Sequence, residues 1–100
     1  MSVEDEQARL LRCIGQPTRL RIIKLLAPGE KCVCEISGSL AREQSSVSHH
    51  LKALRECGIV VAKQEAKNIY YRLADPGLAR LVLRSGSLVM ELPLCRVKDD

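Results

Sequence analysis

Apolar residues recur at helical spacing over residues 4–15, where Ala8, Leu11 and Ile14 share one stripe and acids crowd the first turn. Gly15 ends this segment. Pro17 suits the first position of a second helix, which runs to about Ala27 with Leu20, Ile23 and Leu26 on one face. Pro28-Gly29 stops it. A short third helix is predicted from about Val33 to Leu40, anchored by Ile36 and Leu40. Four polar residues, Arg42 to Ser45, make the next turn. A fourth helix begins near Gln44 and ends at Gly58, a residue suited to closing a helix.

The pattern then changes period. Ile59-Val60-Val61 and Ile69-Tyr70-Tyr71-Arg72-Leu73 flank the polar stretch Lys63–Asn68, which predicts a β-hairpin. Tyr70 and Tyr71 must face opposite sides of it. Asp75-Pro76 opens a fifth helix with Leu78, Leu81 and Val82 as its apolar face. That helix weakens at Ser85-Gly86-Ser87, and the segment from about residue 86 to Asp100 is left unassigned. Helix, short turn, helix and hairpin in this order predict one mainly α domain over residues 1–100 with a β-hairpin wing, a winged helix-turn-helix.

Composition narrows the classes. A chain of 100 residues holds one domain. With no Phe or Trp and two Tyr, its core must be Leu, Ile and Val. So small a domain gains from a partner, and the apolar segments at both ends point to a dimer. Net charge is +4, and residues 42–72 hold six basic groups against three acidic ones, so the excess sits around the fourth helix and hairpin. No stretch is long enough to span a bilayer, and the acidic start, Met-Ser-Val-Glu-Asp-Glu, lacks the order of a signal peptide. A cytoplasmic protein is expected. Five cysteines in that compartment point to thiols kept for metal or redox chemistry.

At about 100° per residue, Val47, Leu51 and Leu54 of the fourth helix fall together and face the core. Ser45, Ser48, His49, Lys52 and Glu56 gather on the other side. Small, polar and basic side chains on an outer stripe suit a helix lying in a major groove. Gln44 and Ser46, in the same first turn, complete the candidate reading set. His50 points toward the flank shared with Cys57 and is expected to pack beside the core. The hairpin offers Lys63, Lys67 and Arg72 for phosphates or the minor groove. Catalysis has no support: there is no Gly-rich phosphate loop, and neither His49 nor His50 has a nucleophile to activate.

Cys32-x-Cys34 opens the third helix, and two thiolates chelate soft cations or trivalent arsenic. Two residues apart on a helix they would lie about 200° apart, so chelation is expected to unwind or bend the first turn. A disulfide between them would close a very small ring, so a redox alternative calls for a longer-range pair such as Cys13 with Cys34 or Cys95.

Pro17-Thr18-Arg19-Leu20-Arg21-Ile22-Ile23, Cys32-Val33-Cys34-Glu35-Ile36 and the run from Ser46 to Val60 closely resemble the ArsR/SmtB repressors, as does the wing Asn68–Leu73. The resemblance covers roughly residues 8–84. It implies a homodimer joined through the first and fifth helices, repression without ligand, and release of operator DNA when a thiophilic ion binds: arsenite, antimonite, cadmium or lead. The arsenic-responsive pattern carries a third cysteine where this chain has Ser37. The resemblance points to Cys13 as the replacement donor, and Cys95 is the other. Cys57 matches a ligand position of a cadmium/lead subgroup whose partner cysteine is here Ala53, so Cys57 is expected to be structural. The zinc pattern of the fifth helix is missing, since no His follows His50. A thiol-redox or reactive-sulfur sensor of the same fold is the alternative.

Overall fold

The computed structural model describes residues 1–93. Its elements are α1 (Val3–Ile14), α2 (Pro17–Leu26), β1 (Lys31–Cys32), α3 (Val33–Leu40), α4 (Gln44–Glu56), β2 (Val60–Glu65), β3 (Asn68–Leu73) and α5 (Gly77–Glu91). Three antiparallel strands form one small sheet in the order β1-β3-β2. The fold is mainly helical with a β-hairpin wing, as the hydrophobic pattern predicts.

Local chemistry sets the boundaries. Ser2 caps α1 reciprocally: its Oγ accepts the Asp5 N–H at 3.1 Å, and the Asp5 carboxylate accepts the Ser2 N–H at 3.3 Å. Gln16 Oε1 accepts the Arg19 N–H at 3.0 Å at the start of α2, where Pro17 lacks an N–H to satisfy. Gly58 follows α4 with φ +80°, a conformation open to glycine without a Cβ penalty. The Ile59 N–H then returns to the Leu54 carbonyl at 2.8 Å, and β2 begins.

The core lies where α2, α3, α4 and the base of the wing meet. Ile22, Ile23, Ile36, Val47, Leu51 and Leu54 are fully buried, and Leu26, Ile59, Val60 and Val82 nearly so. No aromatic ring lies at this centre. Tyr71 is buried beside it, and Tyr70, one position away on β3, is only half-buried, the alternation a strand imposes.

Three elements depart from expectation. Lys31-Cys32 pairs with Tyr71 and Tyr70 as a third strand, which two residues of sequence cannot signal. The hairpin strands extend through the polar residues Lys63, Gln64 and Glu65, so the turn shrinks to Ala66-Lys67. Cross-strand pairing carries polar residues into a ladder whose outer part buries little. Finally, α5 runs straight through Ser85-Gly86-Ser87. Ser85 Oγ donates to the Val82 carbonyl at 2.7 Å and Ser87 Oγ to Leu83 at 3.4 Å, so these hydroxyls bond back onto their own helix.

The apolar stripe expected on α1 is only half interior: Ile14 is buried, while Leu11 is 47% exposed. On α5, Val82 is buried but Leu81 and Leu83 are not. No helix among the described residues is long and apolar enough to cross a membrane.

Candidate nucleic-acid interface and thiol pairs

α4 meets the core through Val47, Leu51 and Leu54, and this orientation leaves Gln44, Ser45, Ser48, His49 and Lys52 exposed. Ser46 is half-buried at the edge of the stripe. The turn from α3 passes through Ala41 in the left-handed region (φ 54°), and its N–H caps the end of α3. No side chain caps the first turn of α4. Its leading N–H groups are thus free to meet an anion, the arrangement by which helix N-termini hold phosphate.

His50 is half-buried beside α2. The Arg19 Nε–H donates to His50 Nδ1 at 3.2 Å, while Arg19 Nη1 donates to the Cys13 carbonyl at 3.0 Å. Burial, reinforced by the positive charge of Arg19 and the neighbouring His49 and Arg42, lowers the pKa of His50 below the usual histidine value. Its ring is an acceptor in a joint between helices.

The wing presents Lys63, Lys67 and Arg72 on its exposed surface. They are not equivalent. Lys63 Nζ lies 3.6 Å from a Glu30 carboxylate oxygen and 3.5 Å from one of Glu65, so its charge is shared within the protein. Arg72 donates to the Leu73 carbonyl at 3.3 Å, well back from the turn. Lys67 sits in the turn itself.

A cleft of about 230 Å³ runs between the wing turn and the start of α4, lined by Cys32, Val33, Cys34, Gln44, Ser48, Lys67, Asn68 and Ile69. It brings together three groups of residues that the sequence holds apart: the Cys-Val-Cys segment, Gln44 and Ser48 of α4, and the wing tip.

The expected 200° separation of Cys32 and Cys34 does not arise, because the two residues are not both helical. Cys32 is the extended N-cap of α3 (φ −81°, ψ 163°) and Cys34 lies in the first turn. Their Cα atoms are 5.4 Å apart, within the span disulfides bridge, and their sulfurs are in bonding contact. The sulfur of Cys32 also accepts the Glu35 N–H at 3.4 Å, and Glu35 Oε1 accepts the Cys32 N–H at 2.9 Å, a capping box with sulfur in the usual place of oxygen. No unwinding is needed to bring the two sulfurs to one ion, and the N-terminal end of a helix favours anionic ligand atoms. Cys32 is buried, Cys34 exposed.

The third sulfur sought in Cys13 is directed elsewhere. Cys13 is bonded to Cys57, with Cα atoms 6.7 Å apart, and its Sγ also lies 3.9 Å from the Ala53 carbonyl. Ser37, where the arsenic-responsive pattern carries its third cysteine, is buried and donates to the Cys34 carbonyl at 3.2 Å. Among the described residues no group of three or more His, Cys, Asp or Glu could hold a metal ion. Cys95 lies outside the described residues. Among the described residues, Cys32 and Cys34 would, once reduced, offer two thiols to a thiophilic ion and leave further coordination to other donors. The Cys13–Cys57 pair was missed because its members are 44 residues apart, and nothing local in sequence marks such a pair.

Comparison with known proteins decides the family. A model of the arsR family of bacterial regulatory proteins matches residues 16–61, the span from α2 to the start of the wing. An uncharacterised HTH-type transcriptional regulator of Methanocaldococcus jannaschii is 37% identical over 83 residues, covering 82% of this chain and 93% of that protein. The chain belongs to the ArsR family. Its fold agrees: the homodimeric winged helix-turn-helix DNA-binding domain of a possible ArsR-family regulator from Mycobacterium bovis superposes with a TM-score of 0.79 at 30% identity, over 98% of this chain and 91% of that one. The antimony-specific transcriptional repressor AntR superposes with a TM-score of 0.77 at 29% identity, over 91% of this chain and 84% of that one. This ArsR-family protein thus has the winged helix-turn-helix fold, and its family is one of transcriptional regulators.

Proposed function

We propose that this ArsR-family repressor binds operator DNA as a homodimer and releases it when a thiophilic ion binds Cys32 and Cys34. One observation carries the reading: both cysteines line the same cleft as Gln44 and Ser48 of α4 and Lys67 and Asn68 of the wing. An ion on these sulfurs alters the surface that meets DNA, with no long relay. Both cysteines sit at the start of α3, which packs directly on α4, so ligation there also bears on the position of α4. Trivalent arsenic, trivalent antimony, cadmium and lead are the candidate ions, and the likeness to an antimony-specific repressor supports that class. A third donor would come from Cys95, the partner subunit or a small-molecule ligand.

DNA is read by Ser45, Ser48, His49 and Lys52 in the major groove, with Gln44 and Ser46 at the free N-terminus of α4 and Lys63, Lys67 and Arg72 on the backbone or minor groove. The subunits join through α1 and α5. Their exposed apolar side chains, Val3 and Leu11 on one and Leu83 and Met90 on the other, are costly to leave in water and support that interface.

The test is fluorescence anisotropy on the DNA upstream of the protein's own gene, under reducing conditions, with arsenite, antimonite, cadmium, lead and zinc titrated in turn. Release by a thiophilic ion, lost in Cys32→Ser/Cys34→Ser, is the expected result. Release that survives this double substitution overturns the assignment. A second reading, thiol oxidation in place of ion binding, has one observation in its favour: the Cys32 and Cys34 sulfurs already touch. Release by oxidant with indifference to every ion would establish it.

A further inference from the structure

Cys13 and Cys57 have no part in the ion site just described, yet they make a second cysteine pair, bonded in this structure. Cys13 is in the last turn of α1 and 6% exposed; Cys57 is the C-terminal cap of α4 and half-buried. Their Cα separation of 6.7 Å lies within the range a disulfide spans, so the bond forms with the backbone already in place. Both sulfurs converge on one turn. The Ala53 carbonyl accepts the Cys57 N–H at 3.1 Å and stands 3.9 Å from Cys13 Sγ.

We propose that Cys13 and Cys57 are a second modification site, a dithiol oxidised to an intramolecular disulfide by low-molecular-weight disulfides, which pins the C-terminal end of α4 to α1. The asymmetry of exposure assigns the order. The accessible Cys57 thiolate attacks a disulfide RSSR, forming a mixed disulfide and expelling RS⁻. The Cys13 thiolate then attacks the Cys57 sulfur and expels the second RS⁻. Two protein thiols become one disulfide, RSSR becomes two RSH, and the two protons lost by the protein are taken up by the leaving thiolates. The crosslink joins the helix proposed to read DNA to a helix proposed to hold the dimer. It therefore opposes any shift of α4 driven from Cys32 and Cys34; this last consequence rests on the proposed function.

The experiment uses the full chain carrying Cys32→Ser, Cys34→Ser and Cys95→Ser, titrated with oxidised glutathione and mapped by differential alkylation and mass spectrometry. Cys13 and Cys57 should lose alkylation together, in a monomeric chain two hydrogens lighter and free of glutathione. Amide hydrogen exchange over residues 53–57 should slow at least tenfold. Glutathione retained on Cys57 with Cys13 still alkylatable, or exchange unchanged in a crosslinked protein, overturns the site. Cys57→Ser leaves the buried Cys13 in place and should abolish both changes. In the wild type, oxidation confined to this pair should raise the arsenite concentration needed for DNA release about tenfold. An unchanged release midpoint in a protein whose Cys13–Cys57 bond is mapped overturns the coupling, and does so independently of whether the Cys32–Cys34 site is correct.

Discussion

The Arg19 Nε–H donates to His50 Nδ1 across 3.2 Å and so ties α2 to α4 through a ring that works only when that nitrogen is unprotonated. Folding holds the pKa of His50 below its unfolded value, through burial first and then the charges of Arg19, His49 and Arg42. A lowered pKa means that the unfolded chain binds the proton more readily. The stabilisation is thus complete above the unfolded value of about 6.5 and is lost as pH falls through the lower folded value. Thermal midpoints measured from pH 8 to pH 5 should fall, and His50→Gln should flatten the acid limb. An identical slope in that variant would remove His50 from the account.

Ser48 and His49 are exposed on the stripe of α4 that faces away from Val47, Leu51 and Leu54. Either Ser48→Ala or His49→Ala should weaken cognate operator binding by about 1–3 kcal/mol while leaving non-specific DNA affinity intact. Equal affinity of wild type and both variants for the operator would place the reading face elsewhere.

The wing lysines should separate. Lys67→Ala is expected to weaken binding to all sequences alike and to reduce the salt slope by about one. Lys63→Ala should do less, because Lys63 already lies within 3.6 Å of Glu30 and 3.5 Å of Glu65. Salt titrations of both variants measure the difference, and a larger loss for Lys63→Ala would reverse the ranking.

Ala66 occupies the hairpin turn at φ 56°, where a Cβ is unfavourable by roughly 1–2 kcal/mol. Two-residue hairpin turns of this kind favour glycine. Ala66→Gly should therefore stabilise the domain, by about 0.5–1 kcal/mol once the extra freedom of glycine in the unfolded chain is subtracted. Urea denaturation reads this directly, and a destabilised variant would show that the turn carries no such strain.

Leu83 is 54% exposed on α5. Replacing it with lysine costs no core packing in one protomer, so Leu83→Lys should leave the helical circular dichroism of the chain intact while shifting it toward monomer in sedimentation. A fully dimeric variant would move the interface away from this face.

The helices of this protein are legible in its sequence because each carries its own punctuation: Gly15-Gln16-Pro17, Pro28-Gly29, Gly58 and Asp75-Pro76 stand where the chain turns, and apolar spacing names the buried residues of α4 without error. The helix-turn-helix and its wing follow from the order of these elements, and a mildly basic middle segment adds to the picture. The stripe exposed on α4 was readable for the same reason, since a helix that buries Val47, Leu51 and Leu54 has no choice about the face it leaves out. What depends on contacts between distant residues was not readable. β1 is two residues long and exists only because β3 lies alongside it. The extended conformation of Cys32, which removes the angular obstacle to pairing with Cys34, comes from that same strand. The Cys13–Cys57 pair spans 44 residues, and only the packing of α1 against the end of α4 brings its sulfurs together. Periodicity reports which way a residue faces within its own element; which element it meets is decided by how the apolar faces fill the core, and that is a property of the whole fold.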